Sequence, residues 1–176
     1  MSRMMIKGIY RDRLFDAEGR AVFDSGWRSN MIVLRCRELL AAFMRNDSTE
    51  TKLGITALKV GRGDSAWDTA QTANPDPNST IKLEDPSPYT IDRNQLTVQY
   101  LDAQDQIVSG PTHRIQIIAT LHHDEPTPAT DPPYPLREFG LFGKFGTQEY
   151  MIDYIRHPLI EKDGSVILER RVRLIF

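Results

Sequence analysis

The chain reads as mainly β: a β-sandwich of about six to eight antiparallel strands with one flanking N-terminal helix and long proline-rich loops. Three observations predict this class. Apolar and polar residues alternate with period two in several separate stretches. Helical spacing recurs in one stretch, from Met31 to Met44, and prolines gather in two polar segments that suit neither helix nor central strand.

Taken in order, Ile6 to Phe15 and Arg20 to Trp27 read as a hairpin around Asp16-Ala17-Glu18-Gly19, with Gly19 able to take the left-handed conformation. Asn30 then reads as a helix N-cap. Behind it, Ile32, Cys36, Leu39, Leu40 and Phe43 fall on one stripe, with Arg35, Arg37 and Glu38 outside it. Asn46-Asp47-Ser48-Thr49 ends that helix, and Ile55 to Val60 reads as a buried strand running into Gly61 and Gly63. Residues 64–94 are polar and carry Pro75, Pro77, Pro86 and Pro88, which reads as a loop or extended arm. Leu96, Val98 and Tyr100 alternate into a strand, Asp102 to Gln106 turns, and Arg114 to Leu121 alternates again. A second arm, at about 123–135, contains Pro126, Pro128, Pro132, Pro133 and Pro135; such backbone is stiff, extended and poor in donors.

Leu136 to Gly143 precedes a terminal hairpin, in which Tyr150 to Ile160 pairs through Asp163-Gly164 with a strand from Ser165 to Phe176. In that last strand Val166, Leu168, Val172, Leu174 and Phe176 share one face, with Arg170 as the one break. Ile167, Glu169, Arg171, Arg173 and Ile175 share the other. The expected organisation is one β-sandwich domain over 1–176, with its C-terminal end anchored in the sheet.

The 176 residues are 40% hydrophobic and 26% charged, which suffices for a core without a disulfide framework. The single cysteine, Cys36, forms no internal bridge. Twenty-two basic and twenty-four acidic residues give a formal charge of −2, so no overall basic field draws in nucleic acid. The first residues contain no uninterrupted apolar segment, and no apolar run is long enough to insert in a membrane, so synthesis in the cytoplasm without a signal peptide is expected.

Chemistry-bearing clusters are sparse. Adjacent His122 and His123, before Asp124 and Glu125, would point to opposite faces of a strand end, so no metal site is expected. His113 stands alone, and His157 precedes Pro158 at an expected strand bend. No serine sits in a nucleophile elbow, and Cys36 falls on the apolar helix stripe. Asp12 with Asp16, and Glu84 with Asp85, read as surface charges. Arg62-Gly63-Asp64 matches an adhesive tripeptide, but reads as a sharp turn with both charges solvated. No dinucleotide or phosphate-loop fingerprint follows Gly61 and Gly63, and no cofactor, metal or catalytic residue is expected. Trp67, Tyr89, Tyr134 and Trp27 lie in or beside loops, where an aromatic ring can pack the loop or stack on a sugar.

Four segments, in order, resemble tail-associated structural proteins of tailed bacteriophages and phage-tail-like contractile injection particles. Trp27-Arg28-Ser29-Asn30-Met31-Ile32-Val33, with Arg37 to Ala42, is similar to that family's "W-x-x-N-x-I-V" segment. Ile55 to Gly63 with Trp67 is similar to its "V-G-x-G … W" segment. Leu136 to Gly143 is similar to its "R-E-x-G-L-F" strand, and Arg156 to Lys162 with the strand ending at Phe176 to its closing hairpin. The resemblance implies a non-enzymatic component of the baseplate, collar or fibre-attachment region, built into a virion or particle with copies of itself and neighbouring tail proteins. Proline-rich arms that bury little alone suit ordering against such neighbours. Trp67, Tyr89, Tyr134, Glu169, Arg171 and Arg173 are the expected partner contacts. The alternative is a carbohydrate-binding module or adhesin that holds host-surface glycan through its loop aromatics.

Overall fold

The structure, a computed structural model, describes residues 6–36, 39–40, 53–69, 75–126 and 133–176. It is mainly β. Eleven antiparallel strands join in one hydrogen-bonded network: β1 (Lys7–Phe15), β2 (Ala21–Asp24), β3 (Arg28–Ile32), β4 (Leu53–Gly61), β5 (Tyr89–Asp92), β6 (Thr97–Leu101), β7 (Ile107–Val108), β8 (Arg114–Leu121), β9 (Tyr134–Phe145), β10 (Gln148–Lys162) and β11 (Ile167–Ile175). The strand order is β5-β4-β9-β10-β3-β1-β11-β8-β6-β7, with β2 beside β1. The count exceeds the expected six to eight because β5 and β7 have only four and two residues, too few to show a period, and β3 lies where a helix start was expected.

The chain forms two compact units, one from residues 1–30, 94–132 and 163–176, the other from 31–93 and 133–162. In the first unit the 6–27 hairpin forms as expected: β1 pairs with β2, and Gly19 turns at a φ of 77°. Strand β11 lies between β1 and β8. Its alternation is complete, with Leu168, Arg170, Val172 and Leu174 buried. Register sets Tyr10, Val172 and Ile117 in one row and Asp12, Arg170 and Ala119 in the next. Arg170 is thus a paired charge: its Nε and Nη2 donate to the Asp12 carboxylate at 2.7 and 2.9 Å, with both side chains 2% exposed. Asp12 is therefore no surface charge. Phe176 departs from the expected apolar face: it is 42% exposed, and its N–H donates to the His113 carbonyl.

The expected terminal hairpin does not form. Strand β11 takes β1 and β8 as partners, whereas β10 pairs with β9 and with Met31 and Ile32 of β3. A turn sequence such as Asp163-Gly164 reverses the chain without choosing the partner. A buried arginine needs a buried counter-charge, and β1 supplies it. The hairpin of this region is β9–β10, turning through Gly146 at a φ of 65° and Thr147.

In the second unit β9 lies between β4 and β10, and every residue from Leu136 to Gly143 is buried. A strand covered on both faces shows no polar alternation. Val33, Ala57, Leu83, Phe142, Met151 and Tyr154 form the core. The β9–β10 register shifts between Arg156 and Ile160, which bears out the bend at His157-Pro158. Asn30 is not a helix N-cap: Arg28–Ile32 is extended, and the helical residues described are 34–36 and 39–40. Two ladders compete successfully with helix propensity there, because Asn30 pairs with Gly8, and Met31 and Ile32 pair with Tyr154 and Asp153. Residues 37–38 and 41–44 of the expected helix and its expected end at 46–49 lie outside the described residues, as do 127–132 of the second arm, whose last residues, Tyr134 and Pro135, belong to β9. The first arm also carries structure: Leu83 and Asp85 are buried, Ser65–Asp68 and Arg93–Gln95 are 3₁₀ turns, and β5 pairs with β4.

Candidate functional site

The second unit concentrates buried charge around the Leu136 to Gly143 segment. Arg137 and Glu138 interrupt its apolar run, and each is answered by a loop. The Arg137 guanidinium donates to both oxygens of Asp68 at 2.8 and 2.7 Å, and to the Arg62 carbonyl at 3.0 Å. Hydrogen bonding from Arg137, more than charge alone, holds the Asp68 carboxyl below its usual range.

Glu138 is fully buried and accepts from the backbone N–H groups of Glu84 at 3.0 Å and Asp85 at 2.7 Å. The Tyr154 hydroxyl donates to it at 2.6 Å, and the Arg156 Nε donates to that hydroxyl at 3.2 Å. Burial first, and then the bond to Glu138, push the Tyr154 hydroxyl well above its ordinary range, so it stays a donor. The Arg156 guanidinium lies 4.2 Å from the Trp67 ring centroid. Trp67 in turn closes on Gly63, where a Cβ would lie 2.3 Å from the indole.

Asp85, 4% exposed, is the second anchor. It accepts from Arg62 through N–H at 2.8 Å and Nε at 3.2 Å, and from the Ser87 N–H at 2.9 Å. Burial raises its pKa, but these bonds outweigh burial and leave the carboxyl below the usual range. The reading of Glu84 and Asp85 as a surface pair thus holds for Glu84 alone. The Arg62-Gly63-Asp64 turn is exposed at both charges yet anchored, since the Asp64 side chain caps the Ala66 N–H.

Beside this network a cleft of about 230 Å³ opens between the segment 75–84 and β10. Ser79, Thr80, Lys82, Glu84, Tyr154 and Arg156 supply its polar groups, and Pro75, Ile81 and Leu83 its apolar ones. Among the described residues no histidine or cysteine lines it. No group of three or more His, Cys, Asp or Glu that could hold a metal occurs among the described residues.

No family model, curated protein or solved structure matches this chain.

The expected contact residues divide between the units. Trp67 and Tyr134 are half-buried, each under an arginine: Arg156 over Trp67, and Arg62 at 5.6 Å over Tyr134. Tyr89 is half-buried in β5, opposite Val60. In the first unit Glu169, Arg171 and Arg173 share a face of β11, as their spacing requires. Arg171 donates to Glu169 at 2.8 Å; Arg173 reaches Gln116 at 2.9 Å and Asp105 at 2.7 Å, and stacks 4.1 Å from the Trp27 ring centroid. On the strands beside β11, Arg11 of β1 bonds Asp24, and Arg114 of β8 bonds Asp105 in the turn after β6. His122 donates its N–H to Glu125, and the His123 Nδ1 lies 2.9 Å from the Gly164 carbonyl. Cys36 is buried, as the stripe implies. Sequence reasoning missed Asp68, Asp85, Glu138, Tyr154 and Arg156. The signal available was the Arg137-Glu138 pair inside an apolar run, which demands buried partners.

Proposed function

We propose that this chain is a non-enzymatic structural component of a phage tail or phage-tail-like particle, at the baseplate, collar or fibre-attachment region, assembling with copies of itself and with neighbouring tail proteins. The observation that carries this reading is how the resembling segments use their polar residues. Trp67, Arg137 and Arg156 all engage in stacking or ion pairing within the framework, together with Glu138, rather than converging as acid, base and nucleophile. Short edge strands support it further. Val22 and Phe23 on β2 are 56% and 43% exposed, and Ile107 on β7 is 62% exposed. Unpaired strand edges carrying apolar side chains are templates for another chain. In this reading the strands pack as one sandwich domain, flanked by the helix that begins at residue 34. Segments near 64–94 and 123–135 then order against neighbours.

The test is native mass spectrometry of the purified chain together with electron microscopy of purified particles. Self-association of the chain and density for it in the particle are expected. A strictly monomeric chain that is absent from such particles overturns the proposal. The glycan alternative is weaker, because Trp27, Trp67 and Tyr134 each already have an arginine over the ring.

A further inference from the structure

The outward face of β1, β11 and β8 in the first unit carries more positive charge than its own carboxylates neutralise. Arg11, Arg13, Arg114, Arg171 and Arg173 stand on it, on the side away from buried Leu168, Val172 and Leu174, and three acidic side chains, Asp24, Asp105 and Glu169, answer them. Register sets Arg11 directly across from Arg171, where like charges repel. Burial, and beyond it the charges of Arg114 and Arg171, hold the Arg173 pKa below its ordinary range despite Asp105. Two guanidiniums keep most of their donors. Arg171 donates through Nε alone, to Glu169, which leaves both its terminal amino groups without a partner among the described residues. The Arg13 side chain makes no hydrogen bond among those residues: its guanidinium lies 4.7 Å from the Phe15 ring centroid, and its Nε stands 3.9 Å from Asp24. The two side chains are 30% and 32% exposed.

An occupant of this face must carry spaced anions. Asp24 and Glu169 are interleaved with the arginines, so a continuous run of carboxylates or a uniformly anionic bilayer would press on them. Arginine forks fit phosphate oxygens, and alternate positions on a strand repeat at about 6.6 Å. A single-stranded nucleic acid has one phosphate per nucleotide, with neutral sugar and base between, and can set phosphates on the forks and base N–H groups beside the carboxylates. The net charge of −2 does not oppose such contact, because physiological salt screens exposed charges beyond about 8 Å.

We propose that this face holds the phosphate backbone of a single-stranded nucleic acid, with Arg13 and Arg171 as its two main phosphate contacts. The purified full chain tests this without any particle. Fluorescence anisotropy of a labelled oligothymidylate of about 12 nucleotides should saturate with a dissociation constant on the order of 100 μM in about 20 mM salt. Two phosphate contacts predict a slope of about −1.4 for log affinity against log salt. Arg13→Gln and Arg171→Gln should each weaken binding about fivefold and reduce that slope by about 0.7. Glu169→Gln, which releases Arg171, should instead tighten binding about fivefold, a gain that misfolding cannot mimic. Arg20→Gln makes the same change in net charge at a residue paired with Asp16 and Glu18 in the β1–β2 turn, and should leave affinity unchanged. The proposal is overturned by the absence of saturable binding, by an affinity indifferent to salt, or by an Arg20→Gln effect equal to that of Arg171→Gln. It is equally overturned if Arg13→Gln, Arg171→Gln and Glu169→Gln all bind as the parent does, or if polyglutamate or phosphatidylglycerol vesicles displace the oligonucleotide at equal charge concentration.

Discussion

At the residue scale, Arg170 and Asp12 illustrate how one charge in an apolar row dictates its surroundings. A buried pair stripped of one partner leaves an uncompensated charge, which costs about 3–5 kcal/mol. Asp12→Ala should therefore destabilise the protein by about that much in urea unfolding, whereas Asp12→Leu combined with Arg170→Met should recover most of the loss. Asp85 makes a prediction in pH. Its folded pKa is depressed, so its stabilising contribution is present above the unfolded value near pH 4 and disappears as pH falls through the folded value. Asp85→Asn should accordingly be less stable than the parent at pH 7, with the gap closing below about pH 4; a gap constant from pH 7 to pH 2 would show that the carboxylate charge is irrelevant. Arg170 was legible in the sequence as a break in the alternation. Asp12 was not, since 158 positions separate the partners and register alone brings them together.

Among the elements, the ones written in long periods were legible. The first hairpin, β4, β6, β8 and β11 all lie where alternation or an apolar run placed them. The illegible ones are short, or are decided by a partner. Strands β5 and β7 are too brief for periodicity, and residues 31–32 carry a helical pattern yet extend because β10 offers a ladder. The 3₁₀ turn Ser65–Asp68 depends on Gly63, whose φ is 57° and whose α-carbon faces the Trp67 ring. Gly63→Ala should cost about 1–2 kcal/mol from the left-handed backbone alone. It should also push Trp67 off Arg156, seen as a change in tryptophan emission. Unchanged emission and stability would separate the turn from the stack.

For the whole molecule, the strand order of the first unit is the least legible feature. Composition indicated a sizeable core and alternation indicated strands, but pairing order is set by long-range register that no local pattern encodes. The described residues contain no helix long and apolar enough to cross a membrane. Because β11 lies between β1 and β8, removing residues 163–176 leaves two long strands without a shared partner. That truncation should abolish cooperative unfolding of the first unit, measured by hydrogen exchange: amides of β1 and β8 should lose protection, while those of β4 and β9 keep part of theirs. Retained protection in β1 and β8 would mean that β11 is dispensable.

The β1–β11 pairing also sets a clock. Some 150 residues separate Phe15 from Ile167. At ribosomal speeds of 5–20 residues per second, roughly eight to thirty seconds pass between the synthesis of the two strands. Throughout that interval Asp12 has no arginine, and the nascent β1 ladder is open on the side that β11 will take. The cell must shield a half-made sheet, so chaperone occupancy during translation, more than the stability of the finished fold, is expected to limit its yield.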